Sequence, residues 1–355
     1  MFEDFKENVR FFAEECDYLQ GFNLLSDMQG GFGGFTDLCL QHLCDEYGTS
    51  KRKATHLTCP SLQPSQDTLD GKLDSYLSTV FSLNSALEYS SYVVPMSLRS
   101  TLFSKSYREM PNTELTISSD YDTSAVLAAC YEAAMMPTRS LNSQMTLGDI
   151  EQSLVAGGTN KLLSLKGSFP CQYFTNNKVP VVDGQLTSLT PCFSSHDPMV
   201  KDFRQITSLV GTSTVLGTEA VNFHYKLASG HTLNDTSLVG KFKNPLKLRT
   251  PFPDIFSSNV DLEGRSGSKD VATYDERCKN QSAVVCAQLS SCQQTGMLCR
   301  EVLNFSKKIS KLMRIRSHAD AEEEREIHEQ MLERMEGMKN DCSEFSSEDS
   351  DFSDD

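Results

Sequence analysis

The sequence lacks several features that define common functional classes. No apolar run approaches the roughly 20 residues needed for a membrane-spanning helix. The first residues include Glu3 and Asp4 and do not form the cationic start of a signal peptide. Basic residues are also few, with 33 Lys and Arg against 48 Asp and Glu. This charge balance argues against a general nucleic-acid-binding protein. Because no signal peptide is recognised, we expect an intracellular chain with reduced thiols.

Motifs of catalytic and metal sites are missing from the sequence as well. Its 7 histidines and 12 cysteines include no His-Glu-x-x-His motif and no zinc-type spacing, and there is no Gly-x-Ser-x-Gly turn. His196 and Asp197 are adjacent, which alone does not make a catalytic pair. Cys286, Cys292 and Cys299 have a spacing that fits one helical face, so we interpret them as core or interface thiols. The sequence therefore predicts no enzyme and no metal site.

Charge is unevenly distributed along the chain. Residues 318–355 carry 15 acidic and 3 basic side chains, and we expect 341–355 to be a disordered acidic tail. Residues 300–316 carry 6 basic side chains on a predicted helix whose other face is apolar. This face predicts either peripheral contact with an anionic membrane surface or simple solvation. Its basic residues are Lys307, Lys308, Lys311, Arg314 and Arg316.

Hydrophobic periodicity predicts alternating helices and short strands in the first third of the chain. The predicted elements are a helix over 2–17, a buried strand over 19–25, a glycine-rich loop over 30–34, a helix ending at Gly48, a strand over 55–62, a helix over 73–87 and a strand over 92–94 before Pro95.

The rest of the chain is predicted to be built around one helix. Residues 122–136 are apolar on almost every side, which predicts a central buried helix limited by Pro137. Residues 140–275 predict mixed strands and loops. Two helices are expected after them, over 284–316 and 320–338.

The segment Gly30-Gly-Phe-Gly-Gly34 is the sharpest local signal. Glycines between a strand and a helix let the backbone approach a phosphate, and the helix start offers free N–H groups. The spacing is not that of a Walker A or dinucleotide motif, so a plain turn is the alternative.

Several motifs together resemble the tubulin superfamily and, more closely, its Misato family. The first is Cys16-Asp-Tyr-Leu-Gln-Gly-Phe22, followed by the glycine segment and a helix ending in Asp45-Glu-Tyr47. Three later motifs agree with it: Pro95-Met-Ser-Leu98, Tyr121-Asp122 and Pro137-Thr-Arg139.

This resemblance implies an α/β, tubulin-like fold with a Rossmann-type sheet. A buried central helix would join that sheet to a second α+β domain, and C-terminal helices would follow. The implied divisions are a partial nucleotide-binding-type domain (1–120), the central helix (121–138), an intermediate domain (139–275), C-terminal helices (276–340) and the tail (341–355). Family members begin with strands that this chain does not contain. We therefore expect an exposed sheet edge and low solubility of the isolated chain.

The resemblance also implies a vestigial nucleotide site. Gly30, Gly31 and Gly33 correspond to phosphate-loop glycines, Asp74 to the ribose contact and Tyr121 to the ring that stacks on guanine. The tubulin hydroxyls of the loop are replaced here by Phe32 and Gly34. Met96 or Pro95, and Ala125, stand where tubulins read guanine with asparagines. Thr146-Leu-Gly-Asp-Ile-Glu151 is the nearest match to the tubulin hydrolysis loop, whose pattern is not retained.

We therefore expect a non-enzymatic protein that acts in mitochondrial distribution and morphology through protein partners at the cytoskeleton or the mitochondrial surface. Its expected location is the cytoplasm and the outer face of the organelle. The alternative is a GTP-binding, tubulin-like polymer subunit or regulator.

Overall fold

The fold is taken from a computed structural model of the chain. It describes residues 2–28, 30–48, 51–58, 69–98, 110, 112–116, 118–140, 145–155, 160–170, 186–191, 202–211, 237–248, 251–258, 260, 282–292, 295–300, 302–304 and 321–348.

The first sheet contains three parallel strands: β1 (Gly21–Asp27), β2 (Arg52–Thr58) and β3 (Tyr92–Met96). Helix α2 (Gly30–Tyr47) connects β1 to β2, and α3 (Leu69–Tyr89) connects β2 to β3. β2 is the middle strand, and Val93 of β3 also forms a parallel bridge with Leu162 on the side away from β2. Helix α1 (Phe2–Glu14) precedes this unit and has no buried residue.

The second sheet has the order β5-β4-β10-β6-β7. β10 pairs antiparallel with β4 and β6, whereas β6 and β7 are parallel. Its strands are β4 (Ser164–Ser168), β5 (Thr187–Ser188), β6 (Asp202–Val210), β7 (Ser237–Phe242) and β10 (Val285–Cys292). A separate short ladder joins β8 (Leu246–Lys247) to β9 (Ser282–Ala283).

Helix α4 (Asp120–Arg139) joins the two sheets. Its buried residues, among them Val126, Ala133 and Met135, share one hydrophobic core with β3 and with β4, β6 and β10. The predicted central helix is therefore confirmed. It is longer than expected, because it continues through Pro137 to Arg139. Its outer face is exposed at Tyr121, Ser124 and Ala128 instead of being buried all round.

A second core lies on the opposite face of the first sheet, between α3 and the last helix, α6 (Ala321–Glu348). Met331, Met335 and Met338 of α6 are buried there, as the predicted amphipathic pattern requires. Tyr76 Oη and His328 Nε2 lie 3.1 Å apart across the same interface. α6 runs to Glu348, so residues 341–348 are helical and not the disordered tail that their composition predicts.

Four other predictions need correction. Residues 30–34 form the first turn of α2, not a loop. Strand β1 is half exposed, not buried. Pro95 lies within β3, and not after it, and pairs with Leu57. Residues 285–292, predicted to begin a helix, form the central strand of the second sheet.

The last error has a physical reason. The spacing of Cys286, Cys292 and Cys299 fits one helical face, but these residues belong to a strand and to the helical segment that follows it. The three thiols there are nevertheless buried as expected: Cys286 and Cys292 on β10, and Cys299 on the helical segment at 295–300.

Candidate functional site

The resemblance places a nucleotide site where β1 ends and α2 begins. Gly30 has φ +58°, a left-handed conformation that glycine adopts without strain, and it opens the helix directly. Its backbone N–H donates to Ser78 Oγ of α3 at 2.8 Å. One of the N–H groups that could meet a phosphate is therefore already engaged within the protein.

The other glycines of this helix start have different surroundings. Gly33 is buried, and a Cβ atom at this position would lie 2.0 Å from Ser82 Oγ. Ser82 Oγ is held in place because it donates to Met28 O at 3.0 Å and to Ser78 O at 2.8 Å. Gly33 is thus needed for the packing of α2 against α3. Gly31 and Gly34, like Gly30, have no atom within 4 Å of an added Cβ, so space for a ligand is open at these three positions.

Hydroxyls near the helix start are also engaged. Ser26 Oγ of β1 contacts Thr36 Oγ1 of α2 directly. Thr36 Oγ1 in turn donates to Phe32 O at 2.8 Å. These two side chains fasten the strand to the helix instead of presenting free hydroxyls.

Asp74 lies on the exposed side of α3, four residues before Ser78. Residues four apart lie on one helical face, about 6 Å apart along the axis. Because Ser78 accepts from Gly30, Asp74 lies on the face of α3 that approaches the glycine segment. The structure therefore places Asp74 one helical turn from the side chain that contacts Gly30.

Tyr121 is in the first turn of α4 and is half exposed beside a cavity of about 330 Å³. Met96 and Ala125, the positions compared with guanine-reading asparagines, line the same cavity. That this cavity is a guanine site stays a prediction. Ala125 has no polar side-chain atom, and Met96 has only a weakly accepting sulfur, so neither replaces an asparagine amide. Most of the remaining lining is also apolar: Leu25, Leu127, Ala128, Tyr131, Pro251, Phe252 and Pro253, with Ser124 at the rim. The described residues of this cavity do not fit the edge of guanine.

A second recess lies beside the glycine segment. This groove of about 570 Å³ is lined by Phe5 of α1, Leu24 and Leu25 of β1, and Phe32, Phe35 and Cys39 of α2, with Ser26, Asp27 and Thr36 at its polar end. Leu25 lines both the groove and the cavity, so the two recesses flank the same end of β1.

The segment compared with the hydrolysis loop forms the start of helix α5 (Leu147–Leu154). Asp149 and Thr146 make a capping box, in which Thr146 N donates to Asp149 Oδ2 at 2.6 Å and Asp149 N donates to Thr146 Oγ1 at 3.1 Å. Glu151 Oε2 forms an ion pair with Arg52 Nε of β2, and the two atoms lie 2.8 Å apart. Both carboxylates therefore have structural partners.

His56 was assigned no role in the sequence, yet it lies at the centre of the first sheet. It is fully buried on β2, with its ring 4.7 Å from the Tyr131 ring and 6.3 Å from the Tyr92 ring. Neither ring nitrogen makes a hydrogen bond of ordinary geometry. Burial lowers the pKa of His56 to about 3, and the backbone of Leu24 offsets this only in part. The burial of His56 could have been predicted from its place in a middle strand that helices cover on both faces.

The predictions about the basic residues and about the end of the acidic tail stay untested. The basic residues Lys307, Lys308, Lys311, Arg314 and Arg316 lie outside the described residues, as does the end of the tail after Glu348. Within the described ranges, His, Cys, Asp and Glu side chains form no group that could hold a metal ion. None of the helices described has the length and apolar character required to cross a bilayer.

The parallel sheet, the glycine-rich start of α2 and the central helix with Tyr121 define a tubulin-like α/β protein. A family model described as a tubulin domain matches residues 4–140. Protein misato of Drosophila melanogaster is 32% identical over 39% of this chain and 25% of its own length. Protein misato homolog 1 of Mus musculus is 25% identical over 93% and 62%, respectively, and Protein DML1 of Gibberella zeae is 29% identical over 45% and 31%.

These comparisons support the resemblance of the chain to the Misato family of the tubulin superfamily. It spans between 25% and 62% of the length of these three relatives.

Proposed function

We propose that this chain is a non-enzymatic, tubulin-like protein that acts in mitochondrial distribution, morphology and network organisation through protein partners. One observation carries the non-enzymatic part. The carboxylates of the segment compared with the hydrolysis loop are used to build the fold, Asp149 in the cap of α5 and Glu151 in the ion pair with Arg52. The apolar lining of the cavity beside Tyr121 supports the same proposal.

The mitochondrial part is supported by the similarity to the Misato family, a resemblance that implies work on mitochondrial distribution and shape. We place the protein in the cytoplasm and at the outer surface of the organelle. Action through partners is supported by the exposed apolar side chains on the first unit, including Phe11, Phe12 and Phe32. Such side chains on a folded surface mark sites of interaction when they lie together.

A depletion and rescue experiment tests this proposal. The endogenous protein is depleted, the mitochondrial network is imaged, and residues 1–355 are re-expressed either unchanged or with Asp149→Asn at matched protein level. We expect a network defect that both forms repair equally. Absence of any defect would contradict the mitochondrial role, and repair by the unchanged chain alone would contradict a non-enzymatic mechanism.

A GTP-binding polymer subunit or regulator is the second candidate. Two observations favour it: Tyr121 is half exposed beside a cavity, and Gly31 leaves open space at the start of α2. Guanine-selective binding that is lost in Tyr121→Ala but retained in Tyr18→Ala, a change of another exposed tyrosine, would establish this candidate.

A further inference from the structure

Three methionines anchor helix α6 on the first unit. Met331, Met335 and Met338 are buried, and their spacing of four and three residues places them on one face of the helix. They lie in the hydrophobic cluster that α6 shares with α3 and with the helical segment at 295–300. On the opposite face, described residues such as Glu333 are exposed. Within the described side chains of α6, the buried apolar ones are all methionines.

Polar contacts accompany these methionines in the docking of α6. Tyr76 Oη and His328 Nε2 lie 3.1 Å apart. Arg334 donates to Asn84 O at 3.3 Å and to Glu88 Oε2 at 3.1 Å. The Arg334–Glu88 ion pair is partly exposed, and such pairs add little to stability. The burial of the three thioethers is therefore the main apolar contribution to this docking.

A thioether is an apolar group that a peroxide converts into a polar one. The sulfur lone pair attacks one peroxide oxygen, the O–O bond breaks, and methionine becomes methionine sulfoxide while hydrogen peroxide is reduced to water. The cluster that buries the three methionines contains Val80, Leu83 and Leu298, whose side chains have no hydrogen-bond donor. A sulfoxide oxygen returned to these apolar neighbours is unfavourable, because its hydrogen bonds to water are lost without replacement.

Oxidation requires access to the buried sulfur atoms, and the position of α6 provides it. α6 packs on one side only among its described residues, whereas α4 shares a core with both sheets. Local opening of an outer element breaks fewer contacts than opening of a central one. Met96, Met110 and Met135 lie in the α4 core and are equally buried, at 1%, 3% and 0% exposure. Opening of α6 therefore exposes one group of methionines and leaves the other covered.

We propose that Met331, Met335 and Met338 form an oxidation site that controls the docking of α6 on α3. Peroxide reacts with them during local opening, and the sulfoxides keep the helix undocked. A methionine sulfoxide reductase with a dithiol reductant reverses the change: the sulfoxide oxygen leaves as water and the dithiol becomes a disulfide. This inference goes beyond the proposed function and does not rest on it.

The test treats the full 355-residue chain with hydrogen peroxide. Catalase then removes the peroxide, and dithiothreitol reverses sulfenic acids and disulfides while methionine sulfoxides remain. Peptide mass spectrometry measures the rate of sulfoxide formation at each methionine, and hydrogen exchange of amides 328–338 measures the opening of α6. We expect sulfoxides to form at least fivefold faster at the three α6 methionines than at the three of the α4 core. The amides of oxidised α6 should exchange at least tenfold faster, and reductase treatment should restore the slow exchange.

A triple variant with Met331→Leu, Met335→Leu and Met338→Leu keeps the apolar volume and removes the thioethers. Its control carries Met110→Leu and Met135→Leu in the other core. Circular dichroism and thermal unfolding verify that both fold. We expect peroxide to change α6 exchange by less than twofold in the triple variant, and the control to respond like the unmodified chain. If the triple variant does not fold, Met335→Leu alone should at least halve the response.

Three results would overturn the inference. Equal rates of sulfoxide formation in the two cores would show that α6 gives no selective access. Oxidised α6 whose amides exchange as slowly as before would show that the interface accommodates sulfoxides. A response of the triple variant, or of Met335→Leu if that variant is used, equal to that of the unmodified chain would assign the effect to another residue, such as Cys299 of the same cluster. None of these measurements involves the mitochondrial network, so failure of this inference is distinguishable from failure of the proposed function.

Discussion

At the residue scale, two glycines at the start of α2 have different surroundings: Gly33 packs against α3, whereas no atom lies near the Cβ position of Gly34. We predict that Gly33→Ala lowers the free energy of unfolding by about 1–3 kcal/mol, because the new methyl group overlaps Ser82 Oγ. Gly34→Ala should raise it by up to about 1 kcal/mol, because alanine favours the helix and nothing opposes the methyl group. Urea titration of both variants measures whether each change lowers or raises the free energy of unfolding. A gain in both would show that Gly33 is not a packing residue.

His56 gives a prediction about pH at the same scale. Its pKa is about 3 in the folded protein, below the ordinary histidine value of 6.5. The unfolded chain therefore takes up the proton first as pH falls, and stability contributed by the neutral ring is complete above pH 6.5 and lost progressively towards pH 3. Within that window, each pH unit of acidification lowers the free energy of unfolding by about 1.4 kcal/mol.

His56→Phe removes the titrating group while keeping a ring. We expect the unmodified chain to lose about 2 kcal/mol more than this variant between pH 6.5 and 5. Denaturant unfolding at the two pH values measures the difference, and His42→Phe, on an outer helix, reports the general effect of replacing an imidazole. Parallel pH dependences of the unmodified chain and His56→Phe are incompatible with a buried neutral His56.

At the element scale, the stability of α5 tests whether the Asp149 carboxylate has a structural role in the cap of this helix. Asp149→Asn should lower the free energy of unfolding by about 1 kcal/mol, because the capping box loses its charged acceptor. Asp45→Asn, an exposed change on α2, should stay within about 0.5 kcal/mol of the unmodified chain. Equal stability of all three proteins would show that Asp149 does not hold α5 in place.

The docking of α6 on α3 depends on its buried methionines. Met335 is fully buried, so Met335→Ala should cost about 2–5 kcal/mol through lost contacts and a residual cavity. Gly337→Ala changes the same helix where nothing lies nearby and should be neutral or favourable by up to about 1 kcal/mol. Thermal unfolding of the two variants measures this contrast. Similar unfolding temperatures would mean that α6 is not docked.

These elements also show what the sequence could predict. Segments with strong periodicity and end signals, such as α3 and the α2 end at Gly48, were predicted within a few residues. β10 was missed because the spacing of Cys286, Cys292 and Cys299 fits one helical face, although these residues lie on a strand and on the helical segment after it. The end of α6 was missed because its composition alone suggested disorder. At the site, Tyr121 and Met96, which the resemblance compares with tubulin positions, line one cavity. The contacts of Gly33 and His56 arise from distant segments that no local pattern reveals. The cap that Asp149 forms with Thr146 is local.

At the scale of the whole molecule, α4 and β3 join two sheets through one core, while α6 covers the other face of the first sheet. The shared core keeps the cavity beside Tyr121 in a fixed relation to β1. Among the described residues, β1 pairs with β2 and with no other strand. The low solubility expected from the sequence stays a prediction. We propose on these grounds that the first sheet serves contact with partners and not nucleotide chemistry.

The measurement that tests this assignment most directly is phosphate release from GTP by the full chain with Mg²⁺, combined with equilibrium dialysis of labelled GTP and ATP. We predict no guanine-selective saturable binding and release equal to that of Asp149→Asn. Release that exceeds the Asp149→Asn level, accompanied by guanine-selective binding that Tyr121→Ala abolishes, would contradict the account and establish a working nucleotide site.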